Sequence, residues 1–289
     1  MVHSFAAVGV AKVRLTGGEP LLRRGLPDLV SRIATVDGIR DLAMTTNGTL
    51  LAPVARDLRV AGLHRLSISL DTLRPERHHE ITKRDSHSAV IAGIDAAADA
   101  GFTGTKINTV VTRGVNDDEL TDLVHFGAAH RAEVRFIEYM DVAGASRWDE
   151  RLVVSRSEIL ATVGAALGPV TALPTRPSAP ARRYRAGDGT AFGIVASTST
   201  PFCASCDRSR VTADGLWYHC LYAATGTNLR TPLRRGATAE ELRDLVACGW
   251  ARRVDQGAVD RLRLAERRAA TPVEVTRRDV HREMHTRGG

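Results

Sequence analysis

The chain has 289 residues, 43% of them hydrophobic, enough to bury the core of one large domain with a smaller appendage. No run of about 18 apolar residues occurs, which excludes a membrane-spanning helix, and the first ten residues lack the basic region of a signal peptide, so a cytoplasmic location is expected. The formal net charge is +7, yet almost every base is Arg, with Lys only at Lys12, Lys83 and Lys106; with aromatics at 4%, neither charge nor stacking capacity argues for a nucleic-acid partner.

The first half alternates short apolar runs with helical patterns. Strands are predicted over 12–16, 41–47, 65–71, 105–111 and 133–140, and helices over 26–36, 52–62, 88–101 and 117–130. Gly62 and Gly101 fit helix stops, and Asn116 or Asp117 fits an N-cap. Strict alternation implies parallel strands with crossover helices. Without a dinucleotide fingerprint, five such strands suit an α/β fold of the partial β/α-barrel kind better than a Rossmann sheet. Chemistry then belongs at the strands' carboxyl ends: Gly17, Gly18 and Glu19; Thr45, Thr46 and Asn47; Ser67, Ser69 and Asp71; Asn108; Glu138 and Met140.

Residues 173–189, rich in Pro, Gly and Arg, read as a loop or linker. The expected division is therefore 1–172 and 173–289. Beyond it, 190–197 and 210–222 read as strands, with a hairpin turn at 213–215. Two helical stretches follow, one over 238–254 and one in the polar C-terminal segment.

All four cysteines lie late: Cys203, Cys206, Cys220 and Cys248. Cys-x2-Cys lets two thiolates reach one metal from a tight turn, and Cys220 adds a third from across the hairpin. His219 would point away from its neighbour on a strand, and Cys248 falls in a helix. Spacing alone leaves structural zinc and an iron–sulfur cluster with one open corner as equals. Arg208 and Arg210 beside Cys206 can clamp phosphates or simply neutralise thiolates. In "GGEP" (17–20) the glycines permit close backbone approach to a ligand, and the backbone with Glu19 can hold an amino group, although a plain strand-to-helix turn explains the stretch equally well. Lys106, inside an apolar strand, has no obvious surface role.

Taken in order, "KVRLTGGEPLLR", "TTNGTLL", "LSISLDTL", "KINTVV", "VRFIEYM", "FCASCDRSRVTADG" with Cys220, and a terminal Gly288-Gly289 resemble the molybdenum cofactor biosynthesis protein A family of radical S-adenosylmethionine enzymes, the GTP 3′,8-cyclases. The resemblance implies an incomplete TIM-type β/α barrel with a C-terminal α+β iron–sulfur region. It implies S-adenosylmethionine, a [4Fe-4S] cluster that generates a 5′-deoxyadenosyl radical, and a second [4Fe-4S] cluster that binds the purine of GTP. The radical takes the ribose 3′ hydrogen and C3′ attacks C8, giving (8S)-3′,8-cyclo-7,8-dihydroguanosine 5′-triphosphate, the first step toward molybdopterin. By position, Gly18, Ser69 and Met140 match S-adenosylmethionine contacts. Arg14, Thr45, Lys106, Arg208, Ser209 and Arg210 match GTP contacts, with Lys12 and Arg135 for the triphosphate. Cys203, Cys206 and Cys220 match the second cluster's ligands, and the Gly-Gly tail reaches the active site. An electron donor is implied as a partner, and a homodimer is left open.

The family's first cluster is held by Cys-x3-Cys-x2-Cys after the first barrel strand, and no cysteine precedes Cys203 here. The resemblance thus implies a barrel lacking its first strand and that cluster's ligands. The expectation is a chain begun downstream of that motif, inactive without it; the alternative is a non-catalytic, nucleotide-binding paralogue with the second cluster. Asp207 stands where the family has Asn.

Overall fold

The structure is a computed structural model, which describes residues 1–142, 148–264 and 267–270 together with Val275, Asp279 and Thr286. Helix α1 (Val2–Ala7) leads to β1 (Lys12–Leu15). Next come α2 (Leu26–Ala34), β2 (Asp41–Thr46), α3 (Ala55–Val60), β3 (Arg65–Ser69), α4 (Pro75–Thr82) and α5 (His87–Asp99). The chain continues through β4 (Thr105–Val111), α6 (Leu120–Ala129), β5 (Ala132–Glu138), α7 (Arg156–Leu167), β6 (Thr171–Ala172), β7 (Arg182–Arg185) and β8 (Ala191–Val195). Its last part holds β9 (Arg210–Val211), β10 (Leu216–Tyr218), β11 (Thr227–Asn228), α8 (Arg230–Arg234), α9 (Ala239–Ala251) and α10 (Gly257–Leu262).

Strands β1 to β5 pair in parallel in chain order, as the alternating pattern predicts. Strand β8 then pairs in parallel with β5, and β7 and β6 extend the sheet antiparallel, so eight strands run from β1 at one edge to β6 at the other. The period of two divides each strand. Leu42 and Met44, Leu66 and Ile68, Ile107, and Val134 and Phe136 are buried in the layer between sheet and helices. Arg14, Thr45, Ser67, Lys106 and Arg135 have the opposite phase and form a polar concave face. A second, three-stranded antiparallel sheet, β11-β10-β9, carries the late cysteines' hairpin.

Three local readings change. The stretch 173–189 is not wholly a linker, since it contains β7, and the main sheet straddles residues 172 and 173. Asn116 does not cap α6, which starts at Leu120. Its buried side chain instead accepts from the Thr112 amide and donates to the Asp71 and Val110 carbonyls, pinning the ends of β3 and β4 together. Helices α4 and α7 were not foreseen; α7 opens on a capping box between Ser155 and Glu158, a spacing readable in the sequence. The Gly288-Gly289 tail lies outside the described residues.

Candidate active site

The loop after β1 is built on Gly17, whose φ of 139° belongs to the left-handed half of the map. A Cβ at Gly17 or Gly18 would meet nothing within 4 Å, so the loop borders open space. Glu19, which the sequence reading offered as a partner for an amino group, is held by three hydrogen bonds from its own loop and the end of β2. Its Oε1 accepts from Thr46 Oγ1 at 2.7 Å and from the Leu21 amide at 3.0 Å, and its Oε2 accepts from the Asn47 amide at 2.8 Å. Glu19 is the tie that fixes the glycine loop to the end of β2.

The concave face is strongly cationic. Arg14 is reached by solvent but ringed by protein. Its Nη1 donates to Thr45 Oγ1 at 2.8 Å and Ser67 Oγ at 3.0 Å. Surrounding protein, then the charges of Arg65 and Arg135, lower its guanidinium to about 10; Arg208 contributes too, which brings the cysteine segment's cation to the barrel face. Lys106 is buried, registers against Ser67 on β3, and donates to the Gly104 carbonyl. Burial, then Arg135 and Arg65, lower its ammonium to about 8. Among the described residues neither Arg14 nor Lys106 has a carboxylate in ion-pair contact. Their neighbours do: Arg65 makes a forked pair with Asp41, and Glu133 accepts from Arg135 Nε at 3.3 Å and Arg183 Nε at 2.6 Å. Among the described residues, Arg14 and Lys106 are therefore the cations of this face left to meet an anion from outside.

The candidate S-adenosylmethionine residues lie along the rim. Ser69 ends β3, exposed and registered with Asn108, and Met140 follows β5, half-buried. Beside them Asp71 accepts from the Val110 amide at 2.8 Å, and burial raises its carboxyl to about 6.

Cys203 and Cys206 sit at a 3-10 turn and Cys220 just beyond β10; all three are half-buried free thiols. Among the described residues, no three His, Cys, Asp or Glu side chains gather as a metal-binding group. The donor chemistry nonetheless fits thiolate ligation. Burial pushes the Cys206 thiol up, but hydrogen bonding from Arg253 and the Arg208 amide, with the charges of Arg208 and Arg253, brings it below its ordinary value. A Cβ on Gly257 would lie 3.1 Å from Cys220 Sγ, so the glycine keeps that sulfur's flank clear. Arg208 stacks 4.6 Å over Phe202, and its buried Nε has no hydrogen-bond partner among the described residues. Ser209 and Arg210 follow on the same segment, half-buried. Cys248 is exposed on α9, and the His219 ring packs 4.3 Å from Trp217, so neither joins the other cysteines' side.

Sequence reading missed Arg65, Asp41, Glu133, Arg183 and Asp141. Arg65, Asp41 and Glu133 share the strand phase of residues that it did find, with Arg65 two before Ser67, Asp41 four before Thr45 and Glu133 two before Arg135, whereas Arg183 lies in the stretch read as a linker. A charge at that spacing inside an apolar strand was the available signal.

Residues 1–127 match the Radical SAM superfamily and residues 132–259 match Molybdenum Cofactor Synthesis C. A mostly parallel barrel-type sheet with these two matches in series defines a radical S-adenosylmethionine enzyme. The chain is 53% identical to GTP 3′,8-cyclase 3 of Mycobacterium bovis, across 100% of this chain and 78% of that one. It is 54% identical to GTP 3′,8-cyclase 1 of Mycobacterium tuberculosis, across 100% and 82%. The GTP 3′,8-cyclase of Xanthomonas axonopodis pv. citri is 44% identical, across 95% and 82%. The chain belongs to the GTP 3′,8-cyclase family, whose enzymes serve molybdenum cofactor synthesis.

Proposed function

We propose that the concave face and the cysteine hairpin together bind GTP for the GTP 3′,8-cyclase reaction, with S-adenosylmethionine on the neighbouring rim; no cysteine precedes Cys203 to hold the cluster that starts that reaction, so turnover needs that motif in addition to these 289 residues. The observation that carries this reading is the pair of uncompensated cations, Arg14 and Lys106, in a face whose other cations are already paired. A triphosphate is the multiply charged, fork-accepting anion that such a face suits. Thr45 and Ser67 hold Arg14 in place, and Arg135 is steadied by Glu133, so the phosphates meet pre-set donors.

Arg208 and Arg210 lead from that face to Cys203, Cys206 and Cys220, the residues that would hold a [4Fe-4S] cluster toward the purine. Gly18, Ser69 and Met140 would line the S-adenosylmethionine side. When bound, these groups supply one-electron chemistry; the chain's own residues bind and orient the nucleotide.

The test is anaerobic reconstitution followed by GTP titration. About four irons per chain are expected for the one cluster that Cys203, Cys206 and Cys220 serve. Micromolar GTP binding lost in Lys106→Ala supports the reading. Zinc in place of iron, with no GTP binding, overturns it. GTP binding without cyclised product is the outcome expected of these 289 residues; if product is still not formed when a segment carrying Cys-x3-Cys-x2-Cys is joined ahead of Met1, the non-catalytic nucleotide-binding alternative holds.

A further inference from the structure

The end of β5 carries two fully buried carboxylates on either side of Met140. Glu138 accepts from the amides of Arg156, Thr198 and Ser199 and from the Ser199 hydroxyl, all at 2.6–2.9 Å. Asp141 accepts from Tyr222 Oη at 2.8 Å, Arg261 Nε at 2.7 Å and Arg267 Nε at 2.8 Å, and its carbonyl accepts from the Ala270 amide at 2.5 Å.

These partners come from separate pieces of chain. Tyr222 stands two residues after Cys220. Arg261 lies on α10, and Arg267 beyond it. Arg267 is itself sequestered: its side chain is 5% exposed, stacks 5.2 Å over Trp148 and donates to the Thr198 carbonyl at 3.3 Å. Trp148 and Thr198 in turn donate to the Tyr139 carbonyl. Burial alone would raise the Asp141 carboxyl, but the bonds from Arg267, Tyr222 and Arg261 outweigh it and hold the group ionised.

An ion with three charged or hydroxyl donors and no solvent is a poor source of net stability, because desolvation cancels most of its attraction. What it provides is geometry: three segments fixed to one atom group beside the rim residue Met140. We propose that Asp141 is a positioning residue. It clamps the Cys220 hairpin and the C-terminal segment to the end of β5, and so sets the hairpin half of the GTP site in register with the barrel half. The inference rests on the GTP reading for its consequence, though not for the clamp itself.

Amide hydrogen exchange of the full chain, with GTP titration alongside, tests it. In Asp141→Asn, exchange is expected to rise at least tenfold in both 216–222 and 257–264, with β1 to β5 unchanged. Tyr222→Phe should loosen 216–222 alone and Arg267→Gln 257–264 alone, which keeps the test open if Asp141→Asn fails to fold. The GTP dissociation constant should rise about tenfold in Asp141→Asn, and adding Arg267→Gln to it should cause no further loss. Exchange unchanged in both segments, or raised equally throughout the barrel, overturns the clamp. Loosened segments with unaltered GTP affinity overturn the positioning role. A wild-type chain that binds no GTP overturns the proposed function instead, and the exchange pattern still decides the clamp.

Discussion

Arg14 on β1 reaches over the intervening strand to Ser67 on β3, with Nη1 3.0 Å from the hydroxyl and 2.8 Å from Thr45 Oγ1 on the way. One guanidinium nitrogen thus spends its hydrogens on two neutral hydroxyls, and among the described residues no carboxylate is in ion-pair contact with the group.

That arrangement predicts a large and specific loss on substitution. Arg14→Ala should weaken GTP binding by about 10- to 100-fold, the range for losing a charge-assisted hydrogen bond of roughly 1.5–3 kcal/mol. Arg14→Lys should fall between, since the charge stays and the fork is lost. Isothermal titration gives the numbers; affinity within twofold of wild type for Arg14→Ala would remove Arg14 from the site.

Lys106 predicts a pH profile. Its ammonium faces Arg14, Arg65 and Arg135, with Glu133 the attractive neighbour, and titrates near 8 in the fold against 10.5 ordinarily. Below pH 7 it is charged with or without a bound anion, so affinity for GTP should be flat. Above pH 8 the free protein loses the proton that the bound anion favours, and affinity should fall by up to about tenfold per unit. Lys106→Arg should flatten the profile through pH 9. The same shift bears on folding with the opposite consequence. Between about pH 8 and 10.5 the unfolded chain keeps a proton that the fold has shed, so the Lys106 contribution to stability rises with pH across that window. Denaturation midpoints of wild type and Lys106→Met at pH 7 and 10 check the sign.

Much of this was legible in the sequence because strand periodicity and site chemistry share a phase. Arg14 and Arg135 were reached only through the family resemblance, but Thr45 and Ser69, at strand ends, and Lys106, a Lys inside an apolar strand, stand out from the residues themselves. Asp41 and Glu133 did not, because a carboxylate near a strand's start reads equally well as a solvated end. The pairing of Asp41 with Arg65 on β3, and of Glu133 with Arg183 on β7 across β8, appears only once the register is fixed. Asn116 was misread for a related reason. A polar side chain before a helix suits a cap, yet here three backbone groups at and just beyond the ends of β3 and β4 claim it. Asp141 follows a predicted strand end, but its partners lie 81, 120 and 126 residues away, beyond any local pattern.

Two substitutions far from the cations test how the rim is held. Gly93 on α5 packs against the loop after β2, and a Cβ there would lie 2.5 Å from the Gly48 carbonyl oxygen. Backbone cannot yield as a side chain tip does. Gly93→Ala should therefore destabilise by about 1–3 kcal/mol, despite the roughly 1 kcal/mol that Ala gains over Gly in a helix. Urea denaturation decides it; a stabilised variant would refute the contact.

Glu138→Ala should be costlier, because one buried and two part-buried amides lose their acceptor at once. At about 1–3 kcal/mol for each unsatisfied group, a loss of at least roughly 3 kcal/mol is expected. Thermal and urea unfolding should both register it, and Ser199→Ala, which removes only one of the four donors, should cost about 1 kcal/mol.

The register of β4 with β5 runs the full seven residues of each strand, from Thr105 opposite Ala132 to Val111 opposite Glu138. The two family matches meet between residues 127 and 132, just before β5. A scissile site there would divide the chain by ancestry but would split its sheet between β4 and β5. Neither fragment should be soluble alone, each presenting a long hydrogen-bonding edge. Coexpressed, the two should find each other as halves of a split protein and restore the same sheet, so that nucleotide binding depends on reassembly rather than on either half.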